Sequence, residues 1–345
     1  MKSNPGHFFE DFHVGMELVH ATPLTVSEGD ISLYRALTGS RHAIYSADTF
    51  AKANGFDRLP VDPLLAFHIV FGKTVPDISL NAVANLGYAE GRFPIGVYPG
   101  DTLRAVSEVI GVKQNSSGKT GVVWVKTRGF NQKDEQVLSY VRWVMVHKRE
   151  PSSPAPETVT PELQSAVSPE DFEVSWSYAN WDNTLAGSPY RFDDYSVGEK
   201  IDHVDGMTVE EAEHQIATRL YQNTAKVHFD AHAQKDSRFG KRLIYGGVVI
   251  SIARALSFNG LANAAELIGI NAGTHAGPLF AGDTVYAWSE VLDKAALSDT
   301  VGALRLRLVA TKNKACAEFP FRDTETGAYD PSVLLDFDYW AAIPR

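Results

Sequence analysis

The stretch LIYGGVVISIARALSF spans residues 243–258 and decides the fold. Arg254 is its only charged residue, and a helix formed by this stretch is apolar on nearly every face. A helix that is apolar all round is a buried one. We therefore expect a central helix here, enclosed by the rest of its domain.

The chain after this helix predicts long antiparallel strands. β-Branched and aromatic residues alternate there with polar ones, which is the period-two pattern of half-buried strands. The stretches concerned are 284–291, 302–310 and 333–341. One buried helix followed by several such strands indicates a sheet curled around that helix.

The first part of the chain predicts the same arrangement. Residues 62–70 form its apolar helix, and 119–128 and 137–146 form a hairpin joined across 131–134. Each part is therefore expected to be a β-rich unit with one buried helix.

The chain repeats itself once, on a period slightly longer than half its length. FEDF at residues 9–12 returns as FDDY at 192–195, and GDT at 100–102 returns at 282–284, so the offset changes by only one position between the two motifs. Register kept over such a distance is typical of a duplicated unit. We predict an α+β fold built from two copies of a sheet wrapped around a helix.

Prolines separate the two copies. Residues 151–171 contain five prolines among Ser, Thr and Glu, which is the composition of a linker. The predicted organisation is an N-terminal unit at 1–150, a linker at 151–171 and a C-terminal unit at 172–345.

Composition excludes several classes of function. The 345 residues carry 32 Lys and Arg against 42 Asp and Glu, and this net charge of −10 provides no positive field for nucleic acid or an anionic membrane. Cys316 is the only cysteine, so no internal disulfide is expected. The chain shows neither an apolar leader segment nor an apolar stretch long enough to span a bilayer. We expect a cytoplasmic protein without nucleic-acid or membrane partners.

Two short motifs resemble a known family. Residues 222–230 read QNTAKVHFD and 242–247 read RLIYGG. The pair is similar to the motif of MaoC-like, R-specific enoyl-CoA hydratases of the hotdog fold, in which Asp-x4-His-x-Asp precedes a His-Gly or similar pair at the start of the central helix. FGKTVPDISLN at 71–81, ARALSFNGLAN at 253–263 and the stretch 280–291 resemble the branch of that family that acts on mesaconyl-CoA.

The resemblance implies a double hotdog, with two helix-in-sheet units side by side. It implies that a CoA thioester binds at their junction and that one active site has survived. The implied reaction is reversible syn addition of water to mesaconyl-C1-CoA, giving β-methylmalyl-CoA, without a metal or redox cofactor. His228 and His232 stand four residues apart, as metal ligands on a helix do, but the hydratase motif accounts for His228 and no metal site is predicted.

Hydration of an enoyl thioester requires a base for water, an acid for C2 and donors for the enolate oxygen. His228 titrates near neutrality in its ordinary state and is the predicted acid and base. Gly246 and Gly247 open the apolar helix, where free N–H groups bind anions. We expect Gly246 to donate to the thioester oxygen, with Gly247 beside the substrate.

Asn223 departs from the family motif, which has an aspartate at this position. An amide binds water but carries no proton. One hypothesis is that Asn223 orients the attacking water while His228 transfers the protons. The alternative is that Asp230, Asp62 or the carboxylate of the substrate takes the missing role. Capping of a turn is the other interpretation of Asp230.

The first half carries no comparable proton-transfer pair. The shift that carries Phe9 onto Phe192 places Ser40 and Tyr45 opposite Asn223 and His228. The shift that carries the first GDT onto the second places Arg41 and Ser46 there instead. We expect this unit to shape the pocket without catalysing.

The sequence leaves the carboxylate-binding residue and the assembly open. A guanidinium suits the free carboxylate of a mesaconyl group, and Arg41 is the first candidate, with His42 beside it and Arg92 and Arg254 as alternatives. Sheet edges of hotdog units favour a homo-oligomer.

Three other functions compete with this one: another R-specific enoyl-CoA hydratase, a hotdog thioesterase and a non-catalytic acyl-CoA-binding protein. A hotdog thioesterase needs a carboxylate on or near the central helix, and residues 243–258 contain none.

Overall fold

The computed structural model describes residues 2–345, and within them the chain forms ten strands and nine α-helices. The strands are β1 (Glu17–Thr25), β2 (Ala82–Arg92), β3 (Thr102–Gln114), β4 (Thr120–Phe130), β5 (Gln136–His147), β6 (Lys200–Thr208), β7 (Glu266–His275), β8 (Thr284–Ala296), β9 (Val301–Lys312) and β10 (Val333–Pro344). The helices are α1 (Glu28–Thr38), α2 (Ala43–Ser46), α3 (Asp48–Ala53), α4 (Pro63–Thr74), α5 (Asn183–Ala186), α6 (Glu211–Leu220), α7 (Lys226–Phe229), α8 (Gly246–Leu256) and α9 (Phe258–Leu261).

The ten strands form one antiparallel sheet in the order β1-β3-β4-β5-β2-β7-β10-β9-β8-β6. The first five strands wrap around α4 and the last five around α8. The two halves join where β2 pairs with β7, with Tyr88 opposite Gly273. The predicted α+β double hotdog is confirmed.

The repeat of the sequence is kept in the structure. The starts of three pairs of helices, α1 with α6, α2 with α7 and α4 with α8, are all related by the shift that carries Phe9 onto Phe192. The starts of β3 and β8 are related by the shift between the two GDT motifs. The halves are therefore related copies, and the first of the two shifts is the one that applies around the site.

Both central helices lie in the core. Every residue of α4 is buried, and in α8 only Gly246 is partly exposed. The predicted boundaries of 62–70 and 243–258 differ from the observed ones by a few residues, since α4 continues to Thr74. At its start α4 has Asp62 as N-cap and Pro63 in the first turn, which is a common way to begin a helix.

The predicted linker at 151–171 runs without long secondary structure and contacts strands of both halves. Val159 forms an isolated bridge with Val112 of β3. The Trp340 indole of β10 donates to the Val167 carbonyl oxygen. These contacts hold the linker against the sheet.

None of the helices in residues 2–345 combines the length and the apolar character needed to cross a bilayer. In the described chain β1 and β6 each have a single neighbouring strand. Such edges leave backbone groups available to another chain, and the homo-oligomer stays a prediction.

Candidate active site

The start of α8 is the place where the predicted site residues of the second half meet. His228 lies on the short helix α7, and its ring centroid is 5.3 Å from that of Tyr245, the N-cap residue of α8. Gly246 and Gly247 follow Tyr245 directly. The structure thus brings His228 to the end of α8 that carries the two glycines.

His228 is held as a neutral imidazole with one free nitrogen. Nδ1 lies 2.9 Å from the Leu243 carbonyl oxygen, which only accepts, so Nδ1 carries the proton. Burial lowers the pKa of His228 to about 4, against the hydrogen bond to Leu243, which raises it. At neutral pH the lone pair therefore stays on Nε2, where a base needs it.

Two further histidines surround His228, and the sequence did not single them out. His214 Nε2 accepts from the Tyr245 backbone N–H at 3.0 Å, and its ring lies 6.3 Å from that of His228. The pKa of His214 is lowered to about 3 and that of His275 to about 4, in each case by burial and then by His228. These rings are neutral near pH 7 and act as hydrogen-bonding groups. They come from α6 and β7, so no local spacing marks them.

The glycine pair provides free donors and leaves no room for side chains. Gly246 and Gly247 are the first two residues of α8, whose N-cap side chain makes no capping hydrogen bond. Their N–H groups are therefore the unpaired ones of a helix N-terminus. A Cβ on Gly246 would lie 2.4 Å from the His275 ring, and one on Gly247 would lie 2.4 Å from the Tyr245 ring. Close packing therefore requires glycine at both positions, and both N–H groups remain free.

Asn223 is buried and uses its oxygen locally. Oδ1 accepts from the Ala225 backbone N–H at 3.0 Å, which fixes the turn before α7. The Nδ2 donor has no acceptor within residues 2–345. Asp230 directs its carboxylate to the Ala233 N–H at 3.0 Å and thereby caps the next turn. Asn223 thus retains one donor for a ligand.

The start of α4, which corresponds to the start of α8, leaves fewer backbone donors free. Pro63 occupies the position of Gly246 and has no N–H. The Asp62 carboxylate accepts from the Leu64 N–H, which corresponds to that of Gly247. Asp62 therefore serves as a cap in the first half. No anion-binding donors remain at this helix start.

Tyr45 occupies the position of His228 on α2 and donates to the Glu266 carboxyl group. Glu266 also lines a cavity of about 60 Å³ together with Pro63 and Tyr98. Burial raises the pKa of Glu266 to about 8, against the hydrogen bond from Tyr45, and burial raises that of Asp62 to about 6. The corresponding place in the first half thus holds a carboxyl group that is mostly protonated at neutral pH.

We expect Glu266→Gln to stabilise the protein increasingly as the pH rises from 5 to 8. The folded protein retains the Glu266 proton up to about pH 8, whereas the ordinary pKa of a glutamate is 4.5. Stability therefore falls with rising pH in this window, by at most about 1.4 kcal/mol per pH unit. Glutamine keeps an acceptor for Tyr45 and removes the titration, so the gain at pH 8 should exceed the gain at pH 5 by up to about 4 kcal/mol.

Urea unfolding of Glu266→Gln and of the unaltered protein at pH 5, 6, 7 and 8 measures the difference in their free energies of unfolding. Both proteins contain the same histidines, so the contributions of the histidines to the pH dependence cancel in this difference. Glu290→Gln, which removes a carboxylate paired with Arg307 at 3.2 Å, is the matched control. A gain that is equal at all four pH values would show that Glu266 does not hold its proton.

The residues predicted to bind the substrate carboxylate lie elsewhere. Arg41 stacks on Phe258 with Cζ 4.5 Å from the ring centroid, and His42 is buried, with Nε2 2.9 Å from Arg254 Nη1. These contacts lie at the end of α8 opposite to Gly246, about 15 Å along the helix axis. Arg92 pairs with Asp171 at 2.8 Å. The structure does not bring these four residues together with His228.

No group of three or more His, Cys, Asp or Glu side chains in the described part of the chain is arranged to hold a metal ion. His232 is exposed.

The chain is similar to known proteins over nearly its whole length. The family model for mesaconyl-CoA hydratase matches residues 2–321. A mesaconyl-CoA hydratase of Cereibacter sphaeroides is 62% identical, covering all of both chains, and a β-methylmalyl-CoA dehydratase of Chloroflexus aurantiacus is 61% identical, covering 100% of this chain and 99% of the other. The crystal structure of a MaoC domain protein dehydratase from Chloroflexus aurantiacus is 60% identical, with a TM-score of 0.98 and coverage of 100% and 99%. By the match of the family model and of these two relatives, the chain belongs to the mesaconyl-CoA hydratase family and is a hydro-lyase.

Proposed function

We propose that this enzyme hydrates mesaconyl-C1-CoA reversibly to β-methylmalyl-CoA, with His228 as the group that moves the protons. In the forward direction His228 Nε2 takes a proton from water while the water oxygen bonds to C3. The electrons of the C2=C3 bond move to the thioester oxygen, and an enolate forms. The imidazolium then returns the proton to C2 and the thioester is restored, so the net change is the addition of one water.

The Gly246 N–H supports this sequence of steps because it lies at a helix N-terminus, where negative charge is stabilised. The enolate oxygen is the atom on which negative charge develops. Water addition and C2 protonation by one imidazole take place on one face of the substrate, which gives syn addition. Gly247 provides a second donor beside the first.

The first half is proposed to close the acyl pocket. Tyr34 of α1 donates to the Ser251 hydroxyl of α8 at 3.0 Å, and His68 Nε2 lies 2.9 Å from the same oxygen. A Cβ on Gly247 would lie 2.8 Å from the His68 ring. Side chains of the first half thus border the donors of the second, while its own helix start is capped.

The observation that carries the proposal is the geometry of His228. Its Nδ1 is fixed by the Leu243 carbonyl, its Nε2 is unprotonated, and it lies beside the free donors at the start of α8. The names of the two curated relatives supply the substrate. A thioesterase that uses a carboxylate on the central helix is disfavoured, since α8 contains no carboxylate.

Mixing the protein with mesaconyl-CoA tests the function. We expect the enoyl-thioester absorbance to fall to an equilibrium value without release of free thiol, and the product to be β-methylmalyl-CoA by mass and chromatography. Release of thiol would indicate a thioesterase. Binding without any change in absorbance would indicate a non-catalytic protein, and faster turnover of crotonyl-CoA than of mesaconyl-CoA would indicate a different enoyl-CoA hydratase.

Asn223 is proposed to orient the water by donating from Nδ2. We expect Asn223→Asp to lower kcat at least about tenfold, because a carboxylate there keeps the acceptor for Ala225, loses the donor and stabilises the protonated form of His228. Initial rates on mesaconyl-CoA measure the effect. An unchanged or higher rate would contradict a site built around an amide, and a comparable loss in Asp230→Asn alone would assign the proton to Asp230.

A further inference from the structure

Arg142 of β5 is a charged residue buried without a countercharge. Its side chain is 0% exposed, and Nε and Nη1 have no hydrogen-bond partner within residues 2–345. Nη2 donates to the hydroxyl groups of Thr74 at 2.8 Å and Ser79 at 3.4 Å. Two of its three nitrogens are therefore unsatisfied.

Arg305 and Arg254, by contrast, have partners for their charge or their donors. Arg305 pairs with Asp338 at 2.6 Å. The other buried arginine, Arg254, donates to the Ser257 hydroxyl and to the carbonyl oxygens of Ala264 and Ala265. The titratable neighbours that act on Arg142 are Tyr88, Tyr140 and Tyr245, with no carboxylate among them in the described chain.

Burial of an unpaired guanidinium is costly, because the charge loses its hydration and gains no anion in return. Stacking on Phe71, with Cζ 4.3 Å from the ring centroid, offsets only part of this cost. Strand periodicity places Arg142 on the same face as Tyr140 and Val144, which is the buried face of β5. A guanidinium retained in that position indicates an anion that the protein itself does not contain.

Contacts connect Arg142 with the start of α8 by two routes. Arg142 is directly opposite Tyr88 in the β2–β5 pair, and the Tyr88 hydroxyl lies 3.3 Å from His275 Nε2, beside Gly246. The second route passes through Phe71, whose ring centroid is 5.8 Å from that of Tyr245. The Tyr245 hydroxyl is likewise buried without a partner in the described chain.

We propose that Arg142 binds the free carboxylate of the acyl group through Nε and Nη1, and so selects unsaturated thioesters that carry a second carboxyl group. The proposal rests on the proposed function, which supplies the thioester at Gly246. The acyl group then lies between the Gly246 N–H at one end and the Arg142 guanidinium at the other. Arg142 is a residue of the first half, so the half without catalysis determines specificity.

The ratio of two activities tests the proposal. We expect Arg142→Gln to lower kcat/KM for mesaconyl-CoA about 100-fold, and to leave that for crotonyl-CoA within about threefold, because crotonyl-CoA has no carboxylate to lose. Arg142→Lys, which keeps the charge without the fork, should recover part of the activity on mesaconyl-CoA. Arg254→Gln, at the far end of α8, is the matched control and should leave the ratio unchanged. An equal loss on both esters in Arg142→Gln would overturn the proposal.

Binding of saturated CoA esters tests the carboxylate subsite independently of hydration, because a saturated ester has no double bond to hydrate. The first comparison uses the unaltered protein and does not depend on the folding of a variant. We expect succinyl-CoA to bind the unaltered protein at least about tenfold more tightly than butyryl-CoA, by isothermal titration. Equal affinities would overturn the carboxylate subsite even if mesaconyl-CoA is hydrated. A preference for succinyl-CoA that Arg142→Gln removes would support the subsite even if no ester is hydrated, in which case only the proposed function fails.

Discussion

His228→Ala is expected to lower kcat for mesaconyl-CoA by at least about 10³-fold, with KM changed by less than about threefold. General acid–base groups typically contribute 10²- to 10⁴-fold, and in the proposed mechanism this one group removes and returns the proton. The side chain does not contact the CoA moiety in that mechanism, so binding should persist. Initial rates across substrate concentration separate the two constants.

The control for this substitution is His232→Ala, which removes an exposed imidazole four residues further along. We expect it to leave kcat unchanged. The pH profile gives an independent check, because protonation of Nε2 abolishes the base. Since burial lowers the pKa of His228 to about 4, kcat/KM should stay level from pH 8 to about 5.5 and fall only below. A His228→Ala variant that turns over within tenfold of the unaltered protein would contradict the mechanism.

The fold was predictable because the apolar helix must be buried, and few arrangements of strands can bury it. A helix with one charge in sixteen residues has to be enclosed, and the alternating stretches supply the strands that enclose it. The pairing of β2 with β7 was not predicted. It depends on contacts between halves, such as Tyr88 opposite Gly273, which no local pattern contains.

Membership of the candidate site was predictable only for residues that are neighbours in sequence. His228, Asn223 and Gly246 belong to one motif, whereas His214 and His275 reach the same place from α6 and β7. Arg142 is marked in the sequence by the strand pattern of its own segment. A charged residue at a position where strand alternation requires burial indicates a ligand or a partner.

Gly72→Ala is expected to disturb the site from the opposite half of the molecule. A Cβ on Gly72 of α4 would lie 1.8 Å from the Tyr221 carbonyl oxygen and 3.1 Å from the carbonyl carbon of Gln222. These are backbone atoms, so a side-chain rotation does not relieve the overlap. The segment that must move leads directly into Asn223, and Lys73 holds it from α4 by donating to the Gln222 side chain at 2.9 Å.

Overpacking of a core contact costs about 1 to 3 kcal/mol, and we expect a loss of stability in that range or slightly above. A displacement of about 1 Å in a catalytic segment lowers rates about 100-fold, so kcat should fall by a similar factor while the protein remains folded. Urea unfolding and initial rates on mesaconyl-CoA measure the two effects.

Gly29→Ala is the matched control for this effect, because it makes the same substitution in helix α1, where a Cβ would meet only the Ser27 hydroxyl at 3.4 Å. Alanine favours a helix over glycine by about 1 kcal/mol, so this control should be neutral or more stable, with unchanged kcat. If Gly72→Ala behaved like Gly29→Ala, the segment before Asn223 would be free to shift without consequence. The catalytic turn would then owe its position to the second half alone, and α4 would serve the site only as core.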